Sequence, residues 1–275
     1  MLNTYSPSGF LLIDKPEGPT SHDCIDALRR ITGIKKIGHA GTLDPFATGL
    51  LIIGVGASTK LLGRLIGLDK RYDATVRLGA ASTTDDRTGE IVSAAWSMEH
   101  EAWNMDDIEE ILKKFVGEIE QIPPMYSAKK IGGKKLYELA RKGINIERAP
   151  VRVRIHELRV LSYEWPSRHF DLKNLTMQSG SRPVSGLLHL AIHCSKGTYI
   201  RALARDIGDV LGVGGYLEEL RRTAIGPFRI TDALPLSTIT TQNWASFLRT
   251  GEFLLRAAAP PPESSESPRR KDESV

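Results

Sequence analysis

The spacing of apolar and polar residues along the chain predicts strands interleaved with helices. Short apolar or alternating runs predict strands at Gly9–Pro16, Leu50–Val55, Tyr72–Gly79, Val151–Glu164, His169–Leu175 and Leu187–His193. Apolar residues at helical spacing predict helices at Ser21–Thr32 with Ser21 as the N-cap, at Ala57–Leu65, at Asp106–Val116 and at Tyr199–Ile207. This mixture indicates an α/β (α+β) fold in which helices flank a mixed sheet.

The composition is that of an ordinary globular protein, with 275 residues, 41% hydrophobic and 25% charged. No apolar run is long enough for a membrane helix, and the first ten residues lack the pattern of a secretory signal. Cys24 and Cys194 are far apart in sequence. We therefore expect a reduced, cytoplasmic protein without a disulfide framework or a structural zinc. The polar residues 257–275 are expected to be a disordered tail.

Positive charge is concentrated between residues 121 and 154. Nine Lys or Arg residues and two acids lie there, so this segment has a net charge of +7. Because the whole chain has a net charge of +4, the rest of the chain is near −3. Such a segment is typical either of a site for a polyanion or of a solvated face.

The loop from Gly38 to Gly49 combines three glycines with an Asp-Pro pair at Asp44 and Pro45. Glycine permits positive φ and close backbone approach, and Pro45 favours an extended conformation at Asp44. The loop can therefore present the Asp44 carboxylate to a ligand, although an Asp-Pro pair also commonly starts a simple turn.

A second segment, Cys194–Asp206, runs from a strand through a turn into a helix. Arg201 and Arg205 are four residues apart and share a helical face that differs from that of Ile200 and Leu203. An arginine beside a catalytic carboxylate would keep the carboxylate ionised. Alternatively, both arginines face solvent.

Together, these segments resemble the motifs of the bacterial TruB-type tRNA pseudouridine-55 synthases. The matching segments occur in the family's order and cover about residues 9–228: Asp14–Pro16, Gly38–Pro45, Lys70–Tyr72, Tyr126–Lys129, Gly197–Arg201 and Leu220–Phe228. The resemblance implies a pseudouridine-synthase fold with a largely antiparallel sheet, a catalytic domain over residues 1–228 and a basic, mobile thumb at about residues 121–154. The chain departs from the family after this domain. Family members commonly carry a further RNA-binding module of PUA type, whereas residues 229–256 are too few for a full module, which we expect to be truncated or absent.

The resemblance assigns roles residue by residue. Asp44 matches the catalytic aspartate, Tyr72 the tyrosine that packs on the target base and is proposed to act in proton removal, and Arg201 the arginine that pairs with the aspartate. His39 matches the histidine that enters the RNA loop, and Tyr199 lies in the pocket. Lys15 and Lys60 are expected to shape the site or bind RNA, and the thumb lysines to bind phosphates: Lys129, Lys130 and Lys134.

The implied reaction isomerises uridine 55 in the T-loop of tRNA, after the base has been flipped out of its stack. Since it breaks a C–N bond and forms a C–C bond without net redox change, it requires no metal and no cofactor. The implied partner is the tRNA T-arm, and the implied state is a monomer.

Other enzyme classes fit less well. Gly54-Val-Gly56 lacks the third glycine of a dinucleotide fingerprint, and Gly132–Lys135 lacks the earlier glycine and the Ser or Thr of a phosphate loop. A glycosidase built on Asp85 or Asp86 would need an acidic cleft. An RNA-binding protein or tRNA-folding chaperone that does not depend on catalysis remains the alternative, although such a protein would not need Asp44.

Overall fold

The computed structural model describes residues 7–93, 105–127, 130–131, 133–140, 143–144, 146–164, 186–250, 253 and 256. Its helices are α1 (Ser21–Thr32), α2 (Leu62–Ile66), α3 (Met105–Lys113), α4 (Leu136–Ala140) and α5 (Ile200–Val210). The first seven strands are β1 (Gly9–Lys15), β2 (Ile37–His39), β3 (Thr48–Val55), β4 (Lys70–Leu78), β5 (Ala80–Ser82), β6 (Ile91–Ser93) and β7 (Gly117–Gln121). The others are β8 (Lys130–Ile131), β9 (Lys134–Lys135), β10 (Val151–Glu164), β11 (Leu187–Cys194), β12 (Gly215–Ile225), β13 (Phe228–Arg229) and β14 (Leu234–Pro235).

A ten-stranded sheet organises the chain. Its strand order is β14-β1-β3-β12-β4-β11-β10-β7, with β2 paired to β3 and β13 paired to β12. Within the described residues, the pairings β1/β14 and β3/β12 are parallel and the other pairings of this sheet are antiparallel. The prediction of a mixed, largely antiparallel sheet flanked by helices is confirmed.

The two halves of this sheet meet at a narrow seam between β3 and β12. Only two registered pairs join these strands, Thr48 with Arg221 and Gly49 with Arg222. Gly49 has φ of 105°, and a Cβ atom there would lie 2.4 Å from the Arg222 carbonyl oxygen. Glycine is therefore required where the loop that carries Asp44 passes directly against β12.

Helices cover one face of the half that contains β4 and β11, and both faces of the half that contains β1 and β3, where α2 packs opposite α1. Helices α3 and α5 bury Ile108, Leu112, Leu203 and Ile207 against the strands β4, β10, β11 and β12, and α1 buries its apolar side chains against β1 and β3. Gly208 of α5 lies against Gly215 of β12, so closely that a Cβ atom would fall 2.1 Å from the Gly215 nitrogen. This contact seats α5 directly on the central strand.

Most of the predicted elements are present. The predicted strands at the positions of β1, β3, β4, β10 and β11 and the helices α1, α3 and α5 are confirmed within a few residues, although α3 ends at Lys113 rather than at Val116. The predicted helix Ala57–Leu65 is instead a 3-10 helix, Gly56–Leu61, followed by the short α2. Residues 169–175 and 257–275 lie outside the described residues.

Two local predictions are wrong or incomplete. The N-cap of α1 is Thr20, which forms a capping box with Asp23, and Ser21 turns inward instead. Strand β12 was not anticipated, because it carries two bulges and a buried arginine rather than a regular alternation.

The segment after β13 packs on β1 and β13. Phe253 stacks on Phe10 of β1 and on Phe228 of β13, with ring centroids 5.0 and 4.1 Å apart. Phe10 and Arg249 also exchange backbone hydrogen bonds of 2.8 Å. Both cysteines are buried and free. Over the described residues, no helix is long and apolar enough to cross a membrane.

Candidate active site

The loop between β2 and β3 presents Asp44 and is held from two directions. Ser21 of α1 is buried, and its hydroxyl donates to the Leu43 carbonyl at 3.0 Å and accepts from the Leu43 N–H at 2.9 Å. On the other side of Asp44, the buried Lys15 ammonium donates to the carbonyls of Pro45 at 3.2 Å and Ala47 at 2.7 Å. The backbone on both sides of Asp44 is therefore fixed.

Lys15 binds backbone carbonyls of the site. It is fully buried, its third contact goes to the Pro16 carbonyl at 2.8 Å, and burial lowers the pKa of its ammonium group. Since its donors face loop carbonyls, this lysine positions the Asp44 loop, which is one of the two roles expected of it.

Arg222 braces the same loop from β12. This arginine is 1% exposed, and its guanidinium donates to the carbonyls of Leu50 at 2.8 Å, Gly41 at 3.1 Å and Thr42 at 3.4 Å. A buried guanidinium is tolerated when its donors are satisfied, as they are here by three carbonyls. Arg222 also interacts with the Tyr72 hydroxyl.

Arg201, in the first turn of α5, connects Asp44 to the surrounding loops. Its Nε lies 3.0 Å from Asp44 Oδ2, and its Nη2 donates to Asp44 Oδ1 at 3.4 Å. Nη1 donates to Asp86 Oδ2 at 3.2 Å and to the Thr84 carbonyl at 3.1 Å, and Nη2 donates to the Tyr126 carbonyl at 2.7 Å. Thus Arg201 is buried in an ionic cluster rather than facing solvent.

The loop after β5 supplies the second carboxylate of this cluster. Asp86 is 3% exposed, and its Oδ1 accepts from the hydroxyls of Thr84 at 2.7 Å and Thr88 at 2.6 Å. The preceding Asp85 has φ of 60° and pairs with Arg205 at 2.8 Å. Both arginines of α5 therefore bind this one loop.

The surroundings of Asp44 raise the pKa of its carboxyl, whereas the sequence suggested that an arginine would keep it ionised. Burial and the negative charge of Asp86 raise the pKa of the Asp44 carboxyl above its ordinary value, although Arg201 and Lys15 lower it. The expectation that an adjacent arginine would keep this carboxylate ionised left out burial and Asp86, which together raise its pKa.

Tyr72 and Tyr199 both lie close enough to Asp44 for its charge to act on their hydroxyls. Tyr72 is a buried residue of β4, and burial raises the pKa of its hydroxyl to about 12, although the positive charge of Arg222 opposes the shift. Tyr199 is the N-cap of α5; its N–H donates to the Gln121 side-chain oxygen at 3.0 Å, and its carbonyl accepts from the Gln121 amide at 3.2 Å. Burial also raises the pKa of the Tyr199 hydroxyl.

The other predicted residues are spread more widely. His39 ends β2 and is half-buried, and burial and the charge of Arg222 lower its pKa, so that the ring is neutral at neutral pH. Lys60 is exposed on the 3-10 helix Gly56–Leu61, and within the described part of the chain no hydrogen bond or ion pair joins it to the Asp44 cluster. Lys129 lies outside the described residues, and Lys130 and Lys134 are described only as backbone of β8 and β9.

The positive charge of residues 121–154 is partly neutralised by neighbours in space. Arg152 pairs with Glu120 at 3.2 Å and Arg154 with Glu118 at 3.0 Å, across the β10/β7 ladder. Both glutamates precede the counted segment. The positive charge that these two pairs leave is therefore smaller than the sequence count indicated.

A cavity of about 410 Å³ is lined by residues of β3, β4, β11 and β12, and its lining does not include Asp44, Tyr72 or Arg201. Phe46 and Ala74 line it, and each is two residues beyond Asp44 or Tyr72. Its polar lining includes Arg87, Arg221 and His189. The lining also carries three acidic side chains, those of Glu17, Asp73 and Glu219, so it is mixed in charge.

Sequence reasoning missed four residues of this arrangement: Ser21, Asp86, Gln121 and Arg222. The sequence predicts Ser21 as an N-cap, and it places Arg222 in a segment that resembles a family motif but assigns it no role. Asp86 and Gln121 carry no local signal, because their partners Arg201 and Tyr199 are 115 and 78 residues away.

Two family models match the chain. A model described as "TruB family pseudouridylate synthase (N terminal domain)" matches residues 29–200, and one described as "tRNA pseudouridylate synthase B C-terminal domain" matches residues 201–264. The chain belongs to the TruB family of tRNA pseudouridine synthases. The boundary between the two matched regions falls at the start of α5, between Ile200 and Arg201.

Individual TruB relatives align over most of the chain. The tRNA pseudouridine synthase B of Corynebacterium jeikeium is 43% identical over 234 residues, which are 85% of this chain and 71% of the relative. That of Chlamydia trachomatis serovar L2 is 41% identical over 262 residues, or 94% and 98% of the two chains.

Solved structures share the fold. A chain from the "Crystal Structure of a Cbf5-Nop10-Gar1 Complex" superposes with a TM-score of 0.59 and 25% identity, covering 90% of this chain and 59% of that one. A chain from the "Structure of H/ACA RNP bound to a substrate RNA containing 2'-deoxyuridine" gives 0.54 and 25%, covering 83% and 51%. This chain therefore spans between half and three fifths of the length of these structural relatives.

Proposed function

We propose that this chain converts uridine 55 in the T-loop of tRNA to pseudouridine, with Asp44 as its catalytic residue. The observation that carries the proposal is the geometry of Asp44. Its carboxylate is paired with the buried Arg201, and the backbone on both sides of it is anchored by Ser21 and Lys15. A group placed this rigidly is preorganised for reaction.

The reaction requires no redox partner. The N1–C1′ bond of the uridine breaks, the uracil rotates, C5 bonds to C1′, and the proton on C5 is lost while N1 gains one. Asp44 either attacks C1′ directly or assists the departure of the base through a glycal intermediate. In both routes the carboxylate acts in its ionised form.

The neighbouring side chains suit the remaining steps. Tyr72 packs against the extruded base and acts in removal of the C5 proton. Because its hydroxyl has a pKa of about 12, it is protonated at neutral pH and must transfer its own proton onward to act as a base. The neutral ring of His39 suits stacking in the space that the flipped nucleotides leave, and Tyr199 lines the pocket.

RNA is bound mainly through phosphates. Flipping the base costs on the order of a few kcal/mol, which contacts with the RNA must offset. We assign these contacts to the thumb lysines Lys129, Lys130 and Lys134 and to the exposed Lys60. The substrate is the T-arm, bound by a monomer.

The test is pseudouridine formation in an unmodified tRNA transcript. Wild type should form product at position 55, whereas Asp44→Asn should bind the tRNA with unchanged affinity and form none. Asp106→Asn is the matched control, because Asp106 is an exposed aspartate on α3. A transcript with cytidine at position 55 tests the position of modification, because the wild type should form no pseudouridine in it.

Two results would contradict the proposal. Product at another uridine would exclude the position while retaining the isomerase. Tight tRNA binding without product from the wild type would instead indicate an RNA-binding protein or a folding chaperone.

A further inference from the structure

A second group of side chains with metal-binding character lies outside the Asp44 cluster. His156 of β10, His193 of β11 and Asp69, which precedes β4, bring one ligand atom each to within 4.8 Å of one another. His156 Nε2 lies 3.1 Å from Asp69 Oδ2, and the two imidazole rings are 4.7 Å apart between centroids. The proposed isomerase chemistry uses none of these residues.

A β-bulge brings the two histidines together. The β10/β11 register runs from Ile155 opposite Cys194 to Glu157 opposite His193, so that His156 and Glu157 both face one residue of β11. Such a bulge redirects side chains at the site where it occurs. Here it leaves His156 on the solvent-facing side of the sheet, beside His193.

Asp69 is held in place by the neighbouring strand. Its carbonyl accepts from the Gly226 N–H at 2.8 Å, at the end of β12, and the next residue, Lys70, pairs with Cys194. His156 and His193 therefore lie on adjacent, registered strands, and Asp69 immediately precedes the next strand, β4. Donor groups on rigid elements are held with greater precision than those on loops.

Nearby ion pairs determine which side chains of this group are available to bind a metal ion. Glu157 is engaged by Arg71 at 3.1 Å and by Arg159 at 2.7 Å. It is therefore not counted as a donor, and two imidazoles and one carboxylate remain. The side chains of His156 and Asp69 are 31% and 44% exposed, so an ion can reach them from solvent.

We propose that Asp69, His156 and His193 bind one divalent transition-metal ion, zinc by donor preference, which cross-links β10 and β11 to the start of β4. Two histidines with a carboxylate are a common zinc donor set, and water completes the tetrahedron. Zinc–ligand bonds of about 2.0 to 2.2 Å require donors roughly 3.5 Å apart, which small side-chain rotations achieve from the present spacing.

The probe is zinc itself, titrated by calorimetry into the full-length protein after chelator treatment, with Co²⁺ absorption reporting tetrahedral geometry. Wild type should bind one ion per chain, and zinc should raise its melting temperature. His156→Ala and His193→Ala should each weaken binding at least about tenfold and abolish that rise. His22→Ala is the matched control, because His22 is a more exposed histidine that lies 3.9 Å from an aspartate, Asp26, on α1.

The proposal is overturned if wild type binds no zinc, or if both histidine variants bind it as tightly as wild type does. A measurement on wild type guards against variants that fail to fold: zinc should shift the imidazole NMR signals of two of the seven histidines. Shifts confined to other histidines would show that the ion binds elsewhere. Because neither measurement involves tRNA, the outcome is independent of the proposed function.

Discussion

Arg201 binds the Asp44 carboxylate through two nitrogens, with Nε 3.0 Å from Oδ2 and Nη2 3.4 Å from Oδ1. A guanidinium fork can hold a carboxylate in this way, whereas a lysine ammonium is a single point charge. The remaining donors of Arg201 bind Asp86, Thr84 and Tyr126. The orientation of the Asp44 carboxylate is consequently tied to the loop after β5 and to the base of the thumb.

Replacing Arg201 by Ala should move the acidic limb of the pH–rate profile to higher pH. Burial already raises the pKa of Asp44, and Arg201 is the largest influence that lowers it. Because the ionised carboxylate is the reactive form, a further rise in its pKa makes activity fall at a higher pH as the solution is acidified. Single-turnover rates measured from about pH 5 to pH 8 would show this shift. Arg205→Ala, on the same helix, is the control; an acidic limb that Arg201→Ala leaves in place would contradict the pairing.

Replacing Tyr72 by Phe tests the hydroxyl apart from the ring. If the hydroxyl acts in removal of the C5 proton, the rate of the chemical step should fall by about 10² or more, because general acid–base catalysis contributes that much. The tRNA dissociation constant should not change, since the ring is retained. A variant with the wild-type rate would show that Tyr72 contributes only packing.

Replacing Gln121 by Leu should destabilise the start of α5. The variant leaves the N–H and carbonyl of Tyr199 without their buried partner, which costs about 1–3 kcal/mol in free energy of unfolding. Urea unfolding measures this loss, with the exposed Gln242→Leu as the matched control. Activity should fall as well, because Tyr199 precedes Arg201 by two residues. Equal unfolding midpoints for the two variants would contradict this account.

Adjacent hydroxyls at the start of α1 should give different phenotypes. Thr20→Ala removes a helix cap and should cost about 0.5–2 kcal/mol of stability without lowering the rate of the chemical step. Ser21→Ala removes both hydrogen bonds to Leu43, so it should lower both stability and that rate. Melting temperatures and single-turnover rates would separate the two effects. If both variants keep the wild-type rate, Ser21 does not position the Asp44 loop.

Affinity for tRNA should fall steeply with salt, because counterions are released as lysines neutralise phosphates. Lys130→Ala and Lys134→Ala should each reduce the slope of log K against log salt by about 1. Arg152→Ala should change it less, because Arg152 already pairs with Glu120. A slope that both lysine variants leave unchanged would mean that these side chains do not contact the RNA.

Elements with a regular local pattern could be predicted from the sequence. The apolar run of β3 and the alternation of β11 identify these strands without reference to the rest of the chain. Strand β12 could not be recognised in this way, because bulges interrupt its alternation and because Arg222 is buried among carbonyls that lie far away in sequence.

The candidate site residues also fall into those that a local pattern identifies and those whose partners are distant in sequence. Motifs located Asp44, Tyr72 and Arg201, since each stands in a recognisable segment. The cap could not be assigned correctly, because Ser21 and Thr20 are equivalent by local chemistry. Ser21 turns inward to bind Leu43, 22 residues away, and no local rule anticipates that contact.

The seam between β3 and β12 has a consequence for biosynthesis. Thr48 and Gly49 meet Arg221 and Arg222, and the same Arg222 braces the loop that carries Asp44. The residues that complete this contact are therefore translated some 170 positions after the loop that they support. A nascent chain on the ribosome can form β1, α1 and β3 early, but it cannot assemble a competent centre until β12 has left the exit tunnel. Emergence of β12 thus sets the earliest moment at which the enzyme can act on RNA.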